Sequence, residues 1–122
     1  MAGHSFGGVV AQKYTEGNAD QIKAQVLMGS TLTRETRGLE SDGTSIYNYG
    51  VPTMTIGGTK DGMMRISRIA ESYWHSTVNI NSAQKNLFPV IALEGVSHMQ
   101  FMSGTPPAAV EKRDLKPDVT EQ

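Results

Sequence analysis

The chain has 122 residues, 11 Lys and Arg against 12 Asp and Glu, a formal net charge of -1, and no cysteine. One domain or less fits that length. The balance of charge excludes a basic nucleic-acid footprint and a basic amphipathic membrane helix. The missing thiols exclude disulfides and thiolate metal sites. No apolar run approaches the roughly 20 residues of a membrane span, and no signal-peptide pattern is visible. A cysteine-free composition of this kind suits the cytosol and is shared by many secreted proteins, so the localisation stays open.

The first element in chain order is a turn. Residues 3 to 8 read Gly3-His4-Ser5-Phe6-Gly7-Gly8, a G-x-S-x-G pattern of the kind that sets a serine on a sharp strand-to-helix turn. A helix is expected from Phe6 to about Glu16, ended by Gly17-Asn18. Two glycines in its first turn cost about 1 kcal/mol each relative to alanine. Close approach of the helix backbone to a sheet would explain them. Only Met1 and Ala2 precede the motif, so the strand expected to carry the serine is placed outside this sequence.

Residues 24 to 28 read as a first strand, ending at Gly29. Residues 30 to 50, polar and glycine-bearing, read as a long loop at the active side, with Arg34 and Arg37 most simply solvated. Residues 51 to 57 read as a second strand, with Pro52 near its start, where proline does least harm. Residues 63 to 75 have the best helical periodicity: Met63, Ile66, Ile69, Ala70, Tyr73 and Trp74 form one stripe, with Trp74 expected to anchor the helix on the sheet. His75 ends that helix, where its charge suits the dipole. After a loop at 79 to 86, residues 87 to 93 read as a third strand. The tail from Gly104 is rich in proline and charge, and residues 117 to 122 resemble the opening turn of a further helix. This alternation predicts an α/β domain with a parallel sheet of three strands and crossover helices. The short apolar strands suit a sheet covered on both faces. Right-handed connections would put the two crossover helices on one face. The other face and the edge beside the serine turn are then expected to be bare and to promote self-association.

Three residues of complementary chemistry fall where strand ends meet loops. Ser5 is on the turn, Asp61 follows the second strand in Gly57-Gly58-Thr59-Lys60-Asp61-Gly62, and His98 follows the third in Glu94-Gly95-Val96-Ser97-His98. Functional groups in open parallel sheets gather at the carboxyl ends of strands. A serine hydroxyl needs a base to become a nucleophile, histidine is the side chain that titrates near neutrality, and a buried aspartate orients the imidazole. The order Ser, Asp, His along the chain is the one expected of α/β-hydrolases.

On these residues the chain resembles the C-terminal portion of an α/β-hydrolase fold enzyme over residues 1 to about 104, with 105–122 a polar, Pro-containing tail leading into a clipped final helix. The resemblance implies that Ser5 is the nucleophile, Asp61 the acid and His98 the base, and that the N–H of Phe6 is one oxyanion donor. The family includes esterases, lipases, thioesterases, dienelactone hydrolases and chlorophyllase-like enzymes, and works without a cofactor or metal. A small-molecule ester or thioester is the implied substrate. The 56 positions between Ser5 and Asp61 leave no room for a large lid domain, which suits the open-site members. The earlier strands, and the loop that brings the second oxyanion donor, lie outside the resemblance. Against the hydrolase stand two other readings: a catalytically silent fragment that serves as a binding or assembly module, and acyl transfer to an acceptor other than water. His4 is expected to pack and hydrogen-bond beside the turn. Met63, Met64, Met99 and Met102 are expected to line core or pocket rather than bind metal.

Overall fold

A computed structural model describes residues 1–31, 50–77 and 80–118 of the chain, without the side chains of His75 and Ser76. The long loop expected at 30 to 50, with Arg34 and Arg37, and the end of the tail lie largely outside the described residues.

Four short strands form one parallel sheet in sequential order: β1 (Ala2–His4), β2 (Gln25–Met28), β3 (Thr53–Gly58) and β4 (Val90–Leu93). Among the described residues the helices are α1 (Phe6–Gly17), α2 (Ile66–Thr77) and two single turns, α3 (Ser82–Lys85) and α4 (Ala108–Glu111). The α/β class and the parallel sheet agree with the sequence reading, but the described residues hold four strands, not three. β1 is the correction. It pairs with β2 through Ala2, Gly3 and His4, and the Val26 N–H donates to Met1 O at 2.9 Å. Three residues are too few to show any periodicity, so only the ladder reveals the strand. With β2 on one side only, β1 is the sheet edge.

Register decides which face carries the helices. Gly3, Leu27 and Thr55 are partners across the sheet, and Gly57 lies two residues beyond Thr55. Alternation points all four positions to one face. A side chain at Gly3 would run into the backbone of Gly7 and Gly8 in α1, and one at Gly57 into Ile66 and Ile69 in α2. Both crossover helices therefore cover the same face. Gly8 in turn is held to glycine by Ser30, whereas Gly7 faces open space, so only one of the two helix glycines is demanded by packing.

Beneath the helices, Leu27 and Ile69 are buried. Between α1 and β2 the contact is partly polar. The fully buried Gln25 donates from Nε2 to Thr53 Oγ1 at 3.1 Å, and its Oε1 lies 3.2 Å from the Thr15 hydroxyl. Those bonds offset the cost of burying an amide. The opposite face presents Val26, Met28, Met54, Ile56, Ile91 and Leu93 by the same alternation. Ile91 and Leu93 are about two-fifths exposed, at 40% and 37%, so this face is apolar and incompletely covered by the described residues.

α2 begins three residues later than the periodicity suggests. Residues 62–64 are drawn into a turn because the Met63 and Met64 N–H groups donate to Asp61. Ile69 and Thr77 are buried, Ile66 is half-buried, and Tyr73 lies exposed at the edge of this stripe. Trp74 lies about 80° round the helix from Ile66 at about 100° per residue and is 56% exposed. It does not anchor the helix on the sheet; Ile69 does. Nor are Met63 and Met102 core residues, being 38% and 50% exposed.

Ile69→Ala is expected to lower stability by about 2–4 kcal/mol, as for other fully buried aliphatic truncations. Trp74→Ala is expected to cost less. Urea unfolding of the two variants checks the order.

Candidate functional site

The site forms where β1, β3 and β4 end. Between β1 and α1 the chain reverses within one residue, and Ser5 takes φ 52° and ψ -126°. It is the only non-glycine residue with positive φ among those described. Such a conformation costs about 1–3 kcal/mol and persists where the surroundings over-determine it. Three bonds hold it: Ser5 N donates to Met28 O at 3.1 Å, Gly8 N donates to Ser5 O at 3.0 Å, and the buried Ser30 hydroxyl donates to Ser5 O at 2.6 Å.

Asp61 ends the turn after β3 and is 2% exposed. Its Oδ1 accepts from Met63 N at 2.8 Å and Met64 N at 2.6 Å, and its Oδ2 accepts from His98 Nδ1 at 2.7 Å. Both oxygens of this buried carboxylate are satisfied, as burial of a charge requires. His98 opens a 3-10 turn, His98–Phe101, beyond β4. Since Nδ1 donates to Asp61, Nε2 carries the lone pair and accepts from the Ser5 hydroxyl at 2.8 Å. Residues 93 positions apart thus form one continuous chain of hydrogen bonds from hydroxyl to imidazole to carboxylate.

The two loops that carry Asp61 and His98 are tied together. Lys60 N donates to Val96 O at 3.0 Å, Thr59 N to Leu93 O at 3.0 Å, and Gly95 N to Thr59 Oγ1 at 2.9 Å. Ser97 N donates to the Gln100 side chain at 2.9 Å, which closes the turn behind His98. His4 packs its ring 4.7 Å from that of His98, and its Nε2–H donates to His98 O at 2.9 Å. Burial pushes the His4 pKa below the ordinary value of 6.5, against the opposing effect of its bond to the His98 carbonyl. Phe6, the first residue of α1, is 75% exposed, and its N–H is among those a helix start leaves without an intrahelical partner.

Two residues beside this chain escape a reading from sequence. Gly29 has φ 50°, and a side chain there would press on Asp61 Oδ2 and His98 Nδ1 at 3.0 and 3.1 Å. The only trace of it in the sequence is a glycine at the end of a strand. Ser30, which braces the Ser5 carbonyl, is one more polar residue in a polar stretch. A cavity of about 460 Å³ lies behind the His98 loop, between Ser97, Met99 and Gln100 and the tail residues Glu111, Asp114 and Leu115. It does not include Ser5 or Asp61. Among the described residues no cluster of His, Asp and Glu could hold a metal ion, and no helix is long and apolar enough to cross a membrane.

Gly29→Ala should break the His98–Asp61 contact. The downfield proton resonance of the Nδ1–H is expected to shift or vanish, while circular dichroism stays that of a folded α/β protein. His4 supplies a pH dependence. Its folded pKa is lowered, so the unfolded chain binds more protons as pH falls below 6.5. Stability should be fully present above pH 6.5 and decline as pH drops through the lowered folded value. Thermal unfolding across that range, with His4→Gln flattening part of the slope, checks it.

No protein-family model matches the chain, and no curated protein sequence matches it significantly. Among solved structures, the fold is similar to that of TT1662 from Thermus thermophilus, with a TM-score of 0.53 at 16% identity. The match covers 80% of this chain and 46% of the TT1662 chain. At that identity the likeness is one of fold, and this chain spans about half the length of the protein it resembles.

Proposed function

We propose that this chain carries the nucleophile, base and acid of a serine hydrolase of the α/β-hydrolase type, acting on a carboxylic ester or thioester through an acyl-enzyme. The observation that carries the reading is the 2.8 Å contact between Ser5 Oγ and His98 Nε2, continued by the 2.7 Å contact between His98 Nδ1 and Asp61. In this reading Ser5 Oγ attacks the ester carbonyl while His98 Nε2 takes its proton. The tetrahedral oxyanion accepts a hydrogen bond from the Phe6 N–H. Collapse expels the alcohol or thiol, which leaves with the proton from His98. Water then attacks the acyl-Ser5 ester, again giving its proton to His98, and the acid departs as Ser5 recovers its hydrogen. Asp61 stays ionised throughout and offsets the charge of the transient imidazolium. General-base assistance of this kind contributes about 10²–10⁴ in rate, and each oxyanion donor about 10²–10³.

A second reading is favoured by the 46% coverage of TT1662. Under it the chain is an assembly module, and turnover needs a further segment that supplies the remaining oxyanion donor. The reactivity of Ser5 separates the two. A fluorophosphonate probe should label the wild-type chain, Ser5→Ala should abolish labelling, and His98→Ala should slow it by about 10² or more. A folded wild-type chain that takes no label until a complementary segment is added supports the assembly reading instead.

A further inference from the structure

The tail beyond residue 104 reads from sequence as a polar appendage. In the fold it crosses the site's two loops. The backbone of 113–115 runs over Gly62 so closely that a side chain there would collide with Arg113 O and lie 2.9 Å from Asp114 Cα. The Asp114 carboxylate then bonds to the neighbours of both site residues. Its Oδ1 accepts from Gly62 N at 2.9 Å, next to Asp61, and also from its own neighbour Leu115 N at 3.0 Å. Its Oδ2 accepts from Met99 N, next to His98, through a longer contact of 3.4 Å. Farther along, Asp118 N donates to Gly95 O at 2.8 Å, and its carboxylate lies 3.2 Å from Lys60 Nζ.

The geometry points to Asp114 as a positioning residue that sets the relation of Asp61 to His98, an inference that rests on the hydrolase reading above. Three successive N–H groups, of Gly62, Met63 and Met64, point at carboxylates. Asp61 takes the second and third, and Asp114 takes the first. Without Asp114 the Gly62 N–H loses its acceptor, and the turn that aims Asp61 is free to rotate. A cavity of about 460 Å³ lies between the tail and the His98 loop, beside those bonds. Asp114 touches neither Ser5 nor the imidazole, so it acts only through the placement of the other two.

The test uses the full chain and two readouts on the same samples. One is the rate of fluorophosphonate labelling at Ser5. The other is the downfield Nδ1–H resonance of His98, which reports the contact with Asp61 whether or not the serine reacts. Asp114→Ala is expected to slow labelling about ten- to a hundredfold, the scale of a misplaced reacting group, and to shift or broaden the resonance, with a cooperative unfolding transition retained. Asp114→Asn keeps an oxygen acceptor for Gly62 and should recover most of both signals. Wild-type rate and resonance in Asp114→Ala would overturn the proposal. A wild-type chain that takes no label counts against the hydrolase reading alone, since the resonance still decides the role of Asp114. Should Asp114→Ala not fold, hydrogen exchange in the wild type decides: slow exchange at the Gly62 amide is expected, and exchange at the rate of an unprotected amide overturns it.

Discussion

A side chain at position 5 can face His98 only because α1 doubles back over β1 within a single residue. That reversal needs contact between helix and strand closer than a Cβ permits, hence Gly3, while Ser30 holds Gly8 to glycine. It also forces Ser5 into a backbone conformation that L-residues avoid. The strain is local and modest on the scale of 1–3 kcal/mol, and the carbonyl of Ser5 is clamped from two sides, by Gly8 N and the Ser30 hydroxyl. A helix start free to relax would swing the hydroxyl away from the imidazole. The placement of Ser5 against His98 at this rim of the sheet is therefore a consequence of packing on its helix-covered face.

The loops that bring Asp61 and His98 follow the same economy. Asp61 is fully bonded by two amides and an imidazole, and the loops exchange backbone bonds with each other. Directional bonds of this kind fix orientation better than apolar contact does. The shape of the scaffold is shared with TT1662 at only 16% identity, so the fold tolerates wide change in sequence.

Sequence alone makes the fold class and the meeting of Ser5, Asp61 and His98 legible for one reason: each lies in a glycine-marked turn directly after a strand, and parallel strands put such turns on one side. The elements that escape are those whose signal is not local. β1 is three residues long and is defined by its ladder to β2. The helical stripe of α2 is visible, yet the periodicity assigns Trp74 to it when the residues that are buried are Ile69 and Thr77. Gly29 and Ser30 matter because of what they touch across the sheet. Asp114 lies 53 positions from Asp61, in a segment whose composition suggests only a solvated tail.

Trapping the acyl-enzyme tests the central claim most directly. The chain would be mixed with an activated aryl ester, quenched in acid within seconds, digested with trypsin and read by peptide mass. The added acyl mass is expected on the peptide of residues 1–13, at Ser5, with release of one phenol per modified chain. An acyl group found on another peptide, or none on a chain that is folded and shows the His98 Nδ1–H resonance, would contradict the claim that this hydroxyl is activated by that imidazole.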